Sequence, residues 1–404
     1  MEEVVIVGGG IAGLATAVAL RRIGLECLVL ERAPELRATG AAIMLFPNAF
    51  RALDSLGVIH KFSTIYQPLE KGCITNIDVG VTQEVFLSAS EPKQEMKMRC
   101  VHRKALLEAL ADELPPNTIR FSSKLASIKT ENLNKSSVVY ALHLEDGSII
   151  RTKVVIGCDG VHSVVAQWLG LSAPLSSGRS AVRGLSLFPE GHGFPHGPQQ
   201  FLGDGKRAGF VPINDKEVYW FITYRTIEHE QELAGEPHMI QKEVLEKLAK
   251  DFPKDYLKVV GHSDLSNLTI APLMLRVPWD VLLGRTHNGK VTVAGDAFHP
   301  MTPDLGQGGC SALEDAVVLA RHVANKLNNI NEAVEMYTRE RRWRAANLIV
   351  GAFLGGWVQQ GGSGIWWWFV KLFRDSIFYK FVYVKMFHSI DQYDCGVLPC
   401  VNKN

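Results

Sequence analysis

The chain has 404 residues, 47% of them hydrophobic and 21% charged, the balance of an ordinary globular protein with length for one large domain or two closely joined ones. Its 43 basic and 42 acidic residues leave a formal net charge of +1, so no global field favours nucleic acid or a polyanionic substrate. The seven cysteines, at 27, 73, 100, 158, 310, 395 and 400, are scattered and never spaced Cys-x-x-Cys. That argues against a disulfide framework and a metal site, and fits reduced thiols in the cytoplasm.

Only Met1, Glu2 and Glu3 precede the first predicted strand, so no leader peptide is expected in the chain as given. Residues 4–7 (Val-Val-Ile-Val) form a β-branched run bounded by glycine, the pattern of a strand buried on both faces. Gly8, Gly10 and Gly13 complete Gly-x-Gly-x-x-Gly, and residues 14–23 then carry apolar side chains at helical spacing up to Gly24. In such a unit the first glycine permits the tight turn, the second lets a pyrophosphate approach the backbone, and the third lets helix and strand pack closely. Free N–H groups at the helix start then hold the phosphates. A second strand, residues 27–30, ends in Glu31, 18 positions after Gly13, where a carboxylate can take the ribose hydroxyls and disfavour a 2′-phosphate. The unit predicts an adenine dinucleotide, FAD or NAD rather than NADP, without separating the first two.

The grammar recurs twice. Residues 154–170 read as a strand, then Asp159-Gly160, then Ser163 in a following helix; residues 130–148 before them read as a hairpin with a polar loop. Residues 290–323 read as a strand over 291–294, then Gly295-Asp296, then a glycine-rich opening at 306–309 into a helix of about 311–327. Asp296 can accept hydrogen bonds from a polyol chain, and the helix start offers positive potential to the charge that a flavin ring acquires on reduction. Three such passages point to one extended cofactor. Between them, residues 180–188, 199–213 and 218–224 alternate and are rich in aromatic and β-branched side chains, which predicts a mixed sheet roofing the cofactor. Phe210, Pro212, Trp220 and Phe221 are its candidate substrate walls, although an aromatic stripe on a strand is also ordinary core.

With these motifs in hand, the chain resembles the FAD-dependent monooxygenases of the aromatic hydroxylase class, salicylate hydroxylase and the plant monooxygenase 1-type proteins among them. The resemblance rests on the Gly8 to Glu31-Arg32 unit, on residues 40–58, on Arg103 in residues 98–110, on Cys158-Asp159-Gly160 and on Gly295-Asp296 through Asp315. It implies an α/β fold: a Rossmann-like FAD-binding domain from segments 1–75, 101–178 and 276–350, an inserted mixed-sheet substrate domain from 76–100 and 179–275, and a helical C-terminal region over 351–404. Gly8, Gly10, Ile11, Ala12 and Gly13 would face the pyrophosphate, Glu31 the ribose, Arg32 the edge of the nucleotide and Arg103 the phosphates. Asp159 would serve FAD and the nicotinamide donor, NADH or NADPH. Asp296 would bind the ribityl chain, and Gly306, Gln307, Gly308 and Gly309 the isoalloxazine. The class usually carries an arginine where this chain has Ala166; Arg179 or Arg183 could replace it, though solvated surface arginines fit that description as well.

The implied reaction reduces FAD with NAD(P)H, adds O2 as a C4a-hydroperoxide and passes one oxygen atom to a small aromatic or apolar substrate. His299, beside Pro300, is the candidate base if the substrate is a phenol, against a structural role in the turn. A flavin reductase or dehydrogenase on the same fold, or a binding protein that keeps the fold without the chemistry, are the alternatives. Finally, residues 365–387 are strongly aromatic but broken by Lys371, Arg374, Asp375, Lys380 and Lys385, which argues against a spanning helix. Apolar residues at 366, 370, 373, 377, 381 and 384 make an amphipathic stripe expected to pack on the flavin domain or to lie on a membrane surface.

Overall fold

The computed structural model describes residues 1–36, 41–87, 93–134, 137–228 and 230–360, and in the tail 369–370, 373, 377, 390 and 392–399. The strand predicted over 4–7 forms as Glu2–Val7 and lies parallel between Ile149–Gly157 and Leu28–Leu30, and Ile149–Gly157 is in turn parallel to Val291–Val293. These β-branched runs are buried on both faces because helices cover the sheet, as a parallel arrangement requires. The helix Ile11–Arg22 is buried from Ile11 to Leu20, against the sheet and against the helix Gly308–Asn325. Within the interval 130–148, where a hairpin is expected, the strands Leu125–Asn134 and Ser137–Leu144 pair antiparallel and extend the same sheet through Ile149–Gly157.

The second sheet has seven described strands, in the spatial order Thr269–Leu275, Leu175–Leu187, Glu217–Arg225, Lys206–Asn214, Gln199–Gly203, Lys71–Asn76 and Val81–Phe86. All pairings are antiparallel except that of Gln199–Gly203 with Lys71–Asn76. This is the expected mixed sheet, and it takes up strand residues from Lys71, a few positions before the anticipated start at 76. Its outer face carries a separate core in which Phe201, Phe210, Trp220, Tyr224 and Tyr256 pack under the helical residues 237–261.

The helix Ile330–Gln360 runs behind both units. Its last turn is tied to the second sheet, where Gln360 Nε2 donates to the Gly205 carbonyl at 2.7 Å. Beyond it the segment 365–387 lies largely outside the described residues. The end of the chain returns to the first unit: Leu398 N donates to Ser55 Oγ at 3.0 Å, and the Arg344 guanidinium sits 4.4 Å from the Tyr393 ring centre. None of the described helices is long and apolar enough to cross a membrane.

Candidate active site

A cavity of about 700 Å³ lies between the two sheets. Its floor is the carboxyl edge of the parallel sheet, where Gly10, Gly160 and Asp296 each follow a strand end, the usual ligand position in such folds. Its roof is the inner face of the second sheet.

The three glycines of the first turn have separate physical duties. Gly8 holds φ at +107°, and a side chain there would strike the Cys158 carbonyl; a side chain on Gly13 would strike the Gly8 carbonyl. Gly10 is different, because beyond its chain neighbours nothing lies within 4 Å of where a Cβ would stand. That open side faces the cavity beside Ile11 and Ala12, as close approach of a pyrophosphate requires. Glu31 Oε2 accepts from Gly9 N at 2.7 Å and Oε1 from Ala33 N at 2.8 Å, so the carboxylate stands against the phosphate turn, while Arg32 points to solvent.

Asp296 is exposed into the cavity, and Arg103, at the start of the helix Arg103–Ala111, also lines it. Burial lowers the Arg103 guanidinium pKa, Asp296 opposing the drop and Arg183 adding to it, so the three groups share one space. Arg103 Nε is buried without a hydrogen-bond partner, a donor left for a ligand. Gly306 adopts a left-handed conformation, φ +65°, and the helix Gly308–Asn325 then opens with Gly308 and Gly309 on the cavity wall. Bare N–H groups at that helix start suit an electron-rich ring. Phosphate turn, polyol acceptor, cationic side chain and helix start together fit an extended dinucleotide.

Other expected residues lie elsewhere. Asp159 turns away from the cavity and caps the helix Val164–Leu169, accepting from Ser163 Oγ at 2.5 Å and Val164 N at 2.7 Å; burial raises its carboxyl pKa in spite of these bonds. Ala166 is buried in the core of the same helix. Gln307 is fully buried behind the wall, its Oε1 accepting from Asn48 Nδ2 at 2.9 Å.

The expectation of a base at His299 needs correction. His299 is fully buried and off the cavity wall, with Nε2 2.6 Å from Asp315 Oδ2. Pro300 is buried beside it, its carbonyl accepting from Arg276 N at 3.0 Å. Asp315 also accepts from Gly295 N at 2.8 Å and from Arg341 Nε at 2.7 Å, and Arg341 Nη1 lies 2.7 Å from Glu314 Oε2. Burial pushes both carboxyl groups up, but His299 and Arg341 take Asp315, and Arg341 and Arg344 take Glu314, below their ordinary values. This buried network anchors the turn that carries Asp296.

The substrate walls also need correction by one strand position. Phe210, Pro212 and Trp220 are buried away from the cavity; Phe210 and Trp220 sit in the outer core, where Trp220 Nε1 donates to Ser263 Oγ at 2.9 Å. Phe221 lines the cavity as expected, with Tyr219 and Thr223 on its own strand and Val211 and Arg207 on the neighbouring one. Trp220→Phe is therefore expected to cost about 1 kcal/mol of stability from the lost hydrogen bond, read as a fall in Tm, with substrate KM unmoved. Phe221→Ala is expected to raise KM instead.

Neither candidate arginine is a solvated surface residue. Arg179 is buried in a two-pronged pair with Asp304, at 3.0 and 2.6 Å, and Arg207 Nη1 reaches the same carboxylate at 3.3 Å. Arg183 lines the cavity and makes no hydrogen bond or ion pair among the described residues.

A profile of the FAD binding domain family matches residues 1–352. Monooxygenase 2 of Arabidopsis thaliana is 41% identical over 98% of both chains, and Monooxygenase 1 of the same plant 37% identical over 98% of this chain and all of the other. The chain belongs to the FAD-binding flavoprotein monooxygenases. An FAD-dependent urate hydroxylase of Mycolicibacterium vanbaalenii is 30% identical to this monooxygenase over 87% of both chains. The solved structure of HpxO from Klebsiella pneumoniae, complexed with FAD and uric acid, shares its fold with a TM-score of 0.82 at 24% identity over 96% of both chains. The α/β architecture with an inserted sheet and the FAD requirement expected from the sequence both stand.

Proposed function

We propose that this monooxygenase uses NADH or NADPH and O2 to hydroxylate a small planar aromatic compound that carries an acidic group. The observation behind this reading is the charge balance of the cavity. Asp304 answers Arg179 and Arg207, whereas Arg103 and Arg183 share the cavity with Asp296 as their nearby carboxylate, and Arg183 makes no ion pair among the described residues, so the two cations outnumber it. A phenolate, a carboxylate or a urate-like anion would complete the balance. Burial pushes the Tyr219 phenol up even though Arg183 pulls it down, so at neutral pH Tyr219 is a neutral O–H donor beside that cation. Met44, Phe46, Val211, Phe221 and Leu305 give the chamber apolar walls that hold a flat ring and exclude water. FAD, when bound, supplies reduction by the nicotinamide donor and activation of O2. The urate hydroxylase relatives, whose names specify an acidic planar heterocycle, accord with this substrate class.

The test is anaerobic mixing of the flavin-loaded protein with NADH or NADPH, with and without uric acid or salicylate, followed by turnover in isotopically labelled O2. Faster bleaching with the acid and label in the product support the reading. Bleaching without label in any product favours a reductase. Arg183→Gln is expected to raise KM for the acidic substrate about 10- to 100-fold, the worth of a charge-assisted hydrogen bond, while a neutral phenol is unaffected.

A further inference from the structure

Two glycines flank the strand Glu217–Arg225, one on each face of the second sheet. Trp220, on the outer face, stands directly across from Gly184, and Phe221, on the inner face, directly across from Gly209. Neither glycine has a positive φ, so the backbone alone would accept other residues at both positions. What both lack is room. A Cβ on Gly184 would lie 2.6 Å from Trp220 Nε1, and one on Gly209 would lie 3.0 and 3.2 Å from Phe221 Cε1 and Cζ. The Gly209 Cβ would also stand 2.7 Å from the Gln199 carbonyl oxygen.

Side chains on a strand usually stand roughly perpendicular to the sheet, which carries the far end of an upright ring away from the neighbouring strand. The far end of Phe221 instead occupies the place of a side chain at 209, so the ring lies down across the strand Lys206–Asn214. Its surroundings agree. The Tyr219 ring is inclined to it by only 29°, with centres 6.4 Å apart, and the guanidinium of Arg207, from the same strand as Gly209, is 5.3 Å from its centre. On the inner face the direction of this lean matters. In register, one row across the roof of the cavity reads Thr269, Arg183, Phe221, Gly209 and Gln200. The ring leans toward Gly209 and therefore away from Arg183, whose side chain is left on the cavity wall. A side chain at 209 would drive the ring up into the chamber or back over Arg183, where a cation–π contact would hold it.

We propose that Gly209 is a positioning residue for the substrate: it lets Phe221 lie down, which keeps open a slot where an aromatic acid stacks flat on that ring with its acidic group at Arg183. Offset stacking on a recumbent ring is the arrangement that aromatic pairs prefer. The inference rests on the acidic aromatic substrate proposed above. The experiment titrates salicylate into the FAD-loaded full chain and reads the change in flavin absorption, for wild type, Gly209→Ala, Phe221→Leu and the double variant, with Gly184→Ala beside them. Gly209→Ala is expected to weaken salicylate binding about tenfold in the wild-type background but less than about twofold in the Phe221→Leu background, with FAD affinity unchanged in both. Gly184→Ala, which disturbs Trp220 in the outer core, is expected to lower Tm without moving salicylate affinity. An equal loss in both backgrounds assigns the glycine to the Gln199 carbonyl and overturns the proposal, as does a Gly209→Ala protein that binds salicylate like wild type. If Gly209→Ala alone does not fold, rescue of folding by Phe221→Leu supports the ring contact, and an unfolded double variant overturns it. Wild type that binds neither salicylate nor uric acid overturns the substrate reading itself, and this proposal with it.

Discussion

Gly10→Val is expected to give a folded protein that purifies without yellow colour. Gly10 has an extended backbone, φ −81° and ψ −171°, that valine adopts readily, and beyond its chain neighbours no protein atom lies within 4 Å of where its Cβ would stand. The substitution therefore fills only the side from which a pyrophosphate would approach the free N–H groups. Losing two phosphate hydrogen bonds at about 1.5 kcal/mol each weakens FAD binding at least about 100-fold. Gly13→Ala behaves differently, because its side chain would strike the Gly8 carbonyl and the strand–helix contact must open. FAD titration by fluorescence quenching and thermal melts of the two apoproteins separate the cases. A Gly10→Val protein that holds flavin as tightly as wild type would refute the placement of the phosphates.

The second large effect belongs to Arg341→Met. Arg341 is fully buried between Glu314 and Asp315, and removing it leaves two buried carboxylates with Arg344, Asn48, His299 and the Gly295 N–H to oppose burial. Breaking such a group from one side costs about 3–5 kcal/mol. The pH dependence follows from the direction of the shifts. In wild type both carboxyl pKa values lie below their ordinary values, so their contribution is present above the unfolded carboxyl pKa, about 4, and is lost as pH falls through the folded values. In the variant burial favours the protonated forms, so acidification relieves the penalty while it destabilises wild type. Urea melts should show the stability gap largest near neutrality and shrinking toward pH 4. A gap independent of pH would mean that the loss is packing alone. Because Asp315 also holds Gly295 N, the variant should bind FAD more weakly even where it remains folded.

The nucleotide-binding unit was legible because everything it needs is local. Strand, turn and helix follow one another within residues 4–31, and each glycine meets a constraint set by its neighbours. His299 was not legible in that way. Its place in the sequence beside the flavin-facing helix suggested a catalytic position, but its partner Asp315 is sixteen positions on, and Arg341 and the Asn48–Glu314 contact come from still more distant stretches. Nothing in the local pattern distinguishes a histidine aimed at a cavity from one sealed in an ion network. Arg183 and Arg179 make the same point: both lie on one strand, yet one is matched by Asp304 and the other faces the chamber.

By itself the sequence determined the cofactor class, the parallel sheet with its three strand-end turns, and an alternating second sheet carried by residues 180–224. What only the tertiary structure decided is which side of that sheet faces the cavity. Alternation with a period of two sorts Tyr219, Phe221 and Thr223 from Trp220, Ile222 and Tyr224, but both sets are apolar and aromatic enough to serve as a core. The helical residues 237–261 cover one set, and the other closes the cavity over Asp296 and Gly308. That choice depends on how two distant units pack, and a repeat within one strand carries no information about it.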